Sequence, residues 1–151
     1  MAINGIVHIL PGIYREQVVI EKSGITLEGE GGRDLIIVRG GGISDYNTVW
    51  TSGVNTYAIA LNPDEVDPGH PVNVTIRGLT VQKADAGIYM PRYTEGTAIE
   101  NCRIQHCLFG IMIERDAMTT TITYNIFRDN EYSIAVGVHY TNTYTHTHAY
   151  N

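Results

Sequence analysis

A chain of 151 residues, 43% of them hydrophobic, is long enough for one domain with a real core. Its 10 basic and 16 acidic side chains leave a net charge of −6, with no basic stripe to neutralise phosphates, which argues against a nucleic-acid partner. No apolar run reaches the ~20 residues of a membrane span. Only 17% of residues are charged, while glycine (16) and tyrosine (10) are plentiful, a composition suited to a β-rich chain with many turns.

Strand-like sequence starts at Ile3 with no basic segment before it, so no secretory leader is read. The chain is expected to be cytosolic, a mature secreted product, or a piece of something longer. In chain order, apolar residues recur at i, i+2, the period of a strand. The pairs are Val7 and Ile9, Val18 and Ile20, Ile25 and Leu27, and Ile36 and Val38, followed by Tyr57, Ile59 and Leu61. Two insertions interrupt them. Residues 40–55 carry the only tryptophan, Trp50, and residues 62–71 hold three of the five prolines. Long loops on a regular scaffold are where binding usually resides, and the plainer alternative is a decorated turn.

From Val74 onward, three segments align without gaps: "VTIRGLTVQKADAGIYM", "TAIENCRIQHCLFGIMI" from Thr97 and "TTITYNIFRDNEYSIAV" from Thr120. The offsets are 97 − 74 = 23 and 120 − 97 = 23. Ile76, Ile99 and Ile122 coincide, as do Val81, Ile104 and Phe127, then Ile88, Ile111 and Ile134, then Met90, Ile113 and Val136. Each segment reads as three short strands between turn residues. A period near 23 with three strands per turn predicts an all-β chain, a single-stranded parallel β-helix of four to five coils over residues 1–151. Coils would stack about 4.8 Å apart, and aligned residues would form columns in one core. A leucine-rich repeat is excluded because its L-x-x-L-x-L-x-x-N pattern is absent. Cys102 and Cys107, five apart, are expected to be free, buried thiols, because so short a bridge would constrain little loop entropy. Asn73 opens one formal glycosylation sequon, a pattern common by chance. The tail, residues 140–151, alternates Thr141, Thr143, Thr145 and Thr147 with Tyr144, His146 and His148. Neither face is aliphatic, so the tail reads as an edge strand that uses its backbone. It would close the chain's own last coil or pair with another molecule's.

"LPGIYREQVVIEKSGITLEGEG" (Leu10 to Gly31), followed by "LIIV", resembles the opening coil of the pectin-lyase-like superfamily of right-handed parallel β-helices. It is especially similar to the pectin methylesterase version, in the elements carried by Gly12, Tyr14, Glu16 and Val18 and by Ile25, Thr26, Leu27, Gly29 and Gly31. The resemblance implies a right-handed β-helix over nearly the whole chain. The catalytic signatures of that superfamily do not carry over. The Q-D-T, D-F-x-F-G and G-R-x-W elements of methylesterases are absent, and of the polygalacturonase set only Arg103 to Gln105 comes close to R-I-K. No calcium-binding acidic cluster of the pectate lyase kind is seen on a strand face. Family members usually cap the first coil with an amphipathic helix, which is missing before Ile3.

Three constellations carry candidate chemistry. Lys83, His106 and Asp129 share the 23-residue offset and would stack in one turn column, with Asp85 and Glu131 nearby. A cation, an imidazole and a carboxylate on adjacent rungs could move a proton, or could simply be polar turn residues. Arg92 and Arg115 also align and, with outward-facing Tyr89 and Met112, could hold an acidic sugar by bidentate contact and stacking. Arg77 and Glu100 would form a surface ion pair of little energetic weight. His146 and His148, at i, i+2, could supply two metal ligands with His139 as a third, although strand pairing explains them better and no metal is expected.

The leading expectation is a non-catalytic structural or binding module that self-associates through its open ends or C-terminal strand. It would be a homo-oligomer or filament within an extracellular or cell-surface assembly, with no cofactor. The alternative is a carbohydrate-binding or carbohydrate-active domain, lyase-like or hydrolase-like, acting on acidic polysaccharide. A third reading is a fragment of a longer enzyme.

Overall fold

A computed structural model describes residues 5–44, 54–62 and 71–138. Every regular element among them is a strand, and the strands fall into five coils of three. Coil one is β1 (Gly5–Ile9), β2 (Gly12–Arg15) and β3 (Val18–Val19), and coil two is β4 (Ile25–Gly29), β5 (Ile36–Gly42) and β6 (Tyr57–Ala60). Coil three is β7 (Thr75–Arg77), β8 (Thr80–Ala84) and β9 (Ala86–Met90), and coil four is β10 (Ala98–Glu100), β11 (Arg103–Gln105) and β12 (Phe109–Glu114). Coil five is β13 (Thr121–Thr123), β14 (Ile126–Arg128) and β15 (Tyr132–Val138). First strands pair with first strands, second with second and third with third, giving three parallel five-stranded sheets. We call them the first, second and third sheets. The chain is therefore a β-solenoid, as its 23-residue period predicts.

The register turns the repeat into a core. Val7, Leu27, Ile76, Ile99 and Ile122 are successive partners in the first sheet. Tyr14, Val38, Val81, Ile104 and Phe127 are partners in the second. Val18, Ile59, Ile88, Ile111 and Ile134 line the third. β-Branched side chains fit such columns because each stacks on its own shape. Burial grades along the axis: Val7 is 48% exposed, Leu27 5%, and Ile76 and Ile99 0%.

The corners repeat as well. Left-handed backbone recurs at Gly78, Asn101 and Tyr124 (φ 72°, 50° and 57°) and at Lys83, His106 and Asp129 (φ 57°, 53° and 52°). A residue other than glycine pays roughly 1–2 kcal/mol for that geometry. The coil-to-coil ladder offsets it, since the N–H of Lys83 donates to the His106 carbonyl and that of His106 to the Arg128 carbonyl, each at 3.1 Å. The corner thus stacks three polar residues in one backbone geometry, coil upon coil.

Both insertions leave coil two. The first begins later than the sequence suggests, because Gly40, Gly41 and Gly42 belong to β5, whose register shifts between Arg39 and Gly42 before Gly42 pairs with Ala84. Glycine is required at position 40, where an added Cβ would lie 2.8 Å from the Tyr57 carbonyl oxygen. The expected Arg77–Glu100 ion pair is not formed. Arg77 instead sets its Nε 2.9 Å from Glu28 Oε1, on the coil before rather than the coil after. Glu28 and Glu100 flank Arg77 equally in the register, and His8 is drawn to Glu28 and Glu30 at 3.7 and 3.2 Å.

Candidate functional site

The outward positions of the second sheet form a column of Arg15, Arg39, Gln82, Gln105 and Arg128, one residue per coil. Gln105 Nε2 donates to Gln82 Oε1 at 2.7 Å, so the two amides are held as a pair. Beside this column runs the corner that carries Lys83 and His106. A hollow of about 410 Å³ lies between Arg15, Glu16, Arg39 and Lys83, with the glycines of β5 along one side. A second hollow of about 450 Å³ continues past Ile43 to His106, sharing Gly42 and Lys83 with the first. Together they form a groove along the solenoid axis, from coil one to coil four. Among the described residues three basic side chains, Arg15, Arg39 and Lys83, and one acidic one, Glu16, line the first hollow. Arg39 Nε is buried with no hydrogen-bond acceptor among the described residues.

The structure does bring Lys83, His106 and Asp129 into one column. The His106 Nδ1 to Asp129 Oδ2 distance is 3.9 Å, however, and that oxygen is already taken by Arg128 Nε at 3.1 Å. Direct proton transfer needs heavy atoms within about 3.2 Å, and the 3.9 Å separation is longer than that, so the two groups are neighbours in the column without a direct hydrogen bond.

Tyr89 is not available as a sugar platform. It has the outward phase of its strand, but is only 8% exposed, and packs in a second apolar cluster with Ala60, Phe109 and Met112. Its hydroxyl donates to Glu114 Oε1 at 2.6 Å. Met112, also expected to face solvent, is 1% exposed. Strand phase tells which side of a sheet a residue takes, not whether that side is wet. Phe109 and Tyr132 stack on the same face, with centroids 5.4 Å apart. Arg92 and Arg115 do lie together, but both turn to Asp116 Oδ2, at 3.6 and 3.7 Å. The signal for this was Asp116 itself, directly after Arg115.

Two features escaped the sequence reading. Asp85, between β8 and β9, is 0% exposed. Its carboxylate accepts the N–H and Oγ–H of Ser44 and the N–H groups of Asn55 and Thr56, the Oγ bond at 2.9 Å and the last two at 3.0 and 3.1 Å. A buried charge is stable only when donors satisfy it, and here four do. The other is a pair of asparagines in coil five, Asn125 and Asn130, whose amides reach back to the backbone of coil four.

Cys102 and Cys107 are free and buried, as expected. Burial pushes the Cys102 thiol up to about 11 and the Cys107 thiol up to about 12, so neither is a nucleophile at neutral pH. Among the described residues no group of three His, Cys, Asp or Glu side chains could hold a metal ion. His139, His146, His148 and the rest of the tail at 140–151 lie outside the described residues.

Comparison with solved structures finds the same architecture in a pectin methylesterase variant crystallised with a hexasaccharide. The match has a TM-score of 0.51 at 12% identity, over 90% of this chain and 47% of that one. At such identity the likeness concerns the fold, and this chain spans about half the length of that enzyme. No curated protein matches. Parallel register does not by itself say which way the coils wind. That is given by the family model described as "right handed beta helix region", which matches residues 18–151, and the chain belongs to that right-handed β-helix family.

Proposed function

We propose that the chain is a binding module for acidic polysaccharide, with the corner groove as its site. The observation that carries this is the excess of Arg15, Arg39 and Lys83 over Glu16 along the groove, in a chain whose net charge is −6. Guanidinium groups grip carboxylates in a planar fork, and stacked coils repeat them about 4.8 Å apart, so a linear polyanion would lie along the axis. The hexasaccharide in the pectin methylesterase of the same fold agrees with a sugar ligand. Binding is proposed over cleavage because the Q-D-T, D-F-x-F-G and G-R-x-W elements of methylesterases are absent from the sequence. Such a ligand implies work outside the cell or at its surface. Calorimetry with polygalacturonate and with a neutral galactan tests this. The acidic polymer should bind and the neutral one should not. Arg39→Ala combined with Lys83→Ala should weaken binding at least about tenfold, the loss of one charge-assisted contact or more. Equal affinity for both polymers would defeat the proposal.

A second reading, self-association into oligomers or filaments, rests on coil one. Ile6 is 57% exposed and Val7 48%, and an apolar hollow of about 310 Å³ opens among Val7, Val18, Ile20, Ile25 and Leu27. No described strand pairs with the outer edges of β1, β2 and β3. Such edges recruit strands, and a second copy, or a neighbour's residues 140–151, would supply them. Sedimentation should show mass rising with concentration, and Val7→Lys should abolish the rise. A monomer at every concentration would end this reading.

A further inference from the structure

We propose that Asp85 is a positioning residue for the groove, the clamp that holds both stems of the first insertion and through them the glycine wall beside Lys83. The effect on ligand rests on the groove reading above, whereas the clamp itself does not. Ser44 is on the outgoing stem, and Asn55 and Thr56 are on the returning one, so a single carboxylate closes the loop. The backbone adds to this: Asp85 N–H donates to Thr56 Oγ1 at 2.9 Å, and that hydroxyl donates to the Gly42 carbonyl.

The coil alone does not ask for this charge. The positions 23 and 46 residues beyond Asp85 in the repeat are Leu108, which is apolar and 6% exposed, and Glu131, which is exposed. Among the described residues a fully buried aspartate occurs only where the insertion leaves and returns. The wall it anchors brings no side chains of its own to pack, since positions 40, 41 and 42 are all glycine, and Gly42 sits at φ 102°. Gly42 pairs with Ala84, the residue before Asp85, and Lys83 is one residue further back. Displacing the stems therefore shifts the wall against the cation that faces it.

Hydrogen exchange and polygalacturonate binding on the full chain test the proposal together. In Asp85→Asn, exchange at the Ser44, Asn55 and Thr56 amides should accelerate at least about tenfold, while Ile104 and Ile111 stay as in wild type. Affinity for polygalacturonate should fall about tenfold in the same variant. Ser44→Ala removes one donor from a half-exposed stem, leaves the solenoid core untouched, and should move both readouts in the same direction by about threefold. Unchanged exchange at those amides would overturn the clamp. Faster exchange with unchanged affinity would overturn its role in the groove. If Arg39→Ala with Lys83→Ala leaves binding intact, the groove reading falls, and the exchange measurement still decides whether Asp85 is the clamp.

Discussion

Asn130 offers a sharp test of how coil five is held to coil four. Its Nδ2 donates to the Ile104 carbonyl at 2.8 Å and its Oδ1 accepts from the Cys107 N–H at 3.0 Å. In the preceding coils the same column holds Ala84 and Cys107, so the asparagine is an addition to the repeat rather than part of it. Asn130→Ala removes two hydrogen bonds worth about 1 kcal/mol each and leaves a half-buried carbonyl and amide without partners, for a total of about 2–3 kcal/mol. In a chain of this length that is a drop in Tm of about 5–10 °C. Asn130→Asp separates the two bonds. An ionised carboxylate can still accept from Cys107, but it turns an oxygen toward the Ile104 carbonyl. The variant should be as unstable as Asn130→Ala at pH 7. Because the fold disfavours the ionised form, its folded pKa lies above the unfolded value, so stability should return as the pH falls toward about 4 and be complete below it, where a protonated carboxyl donates again. Urea titrations of both variants at pH 7 and pH 4 read this directly. A cost under about 0.5 kcal/mol for Asn130→Ala, or no pH dependence for Asn130→Asp, would refute the reasoning.

Core truncations should grade with position along the axis: Ile104→Ala, at 0% exposure, should cost about 3–4 kcal/mol, and Val7→Ala, at 48%, under about 1 kcal/mol. Equal costs would mean that coil one is covered. Cys102 and Cys107 should resist thiol reagents at pH 8 in the native chain and react fully in urea. Because burial raises both thiol pKa values in the folded state, their contribution to stability is complete below about pH 9 and is lost as pH climbs toward about 11 and 12. Replacing both with alanine should flatten that alkaline slope.

The solenoid was legible because a coil that stacks on its own copy must repeat its apolar residues at one offset, and Ile76, Ile99 and Ile122 do. The groove was not, because both insertions leave coil two and destroy the offset there. Arg39 and Gln82 are register partners 82 − 39 = 43 residues apart, so no 23-residue alignment could bring Arg15 and Arg39 beside Lys83. Arg77 had an acid on either side, and sequence spacing cannot say that Glu28 wins. Tyr89 and Met112 had the right phase for an outer face, and only the packed structure shows that face to be dry. Asp85 looked like one more turn acid because its partners, Ser44, Asn55 and Thr56, lie 29 to 41 residues earlier.

The central claim is that a polyanion lies along the corner between the second and third sheets. A crystal structure of the chain soaked with a galacturonate oligomer tests it most directly. The account predicts sugar density parallel to the solenoid axis, with carboxylates against Arg39 and Lys83. Density confined to Arg92 and Arg115, or lying across the outer face of the first sheet, would contradict it.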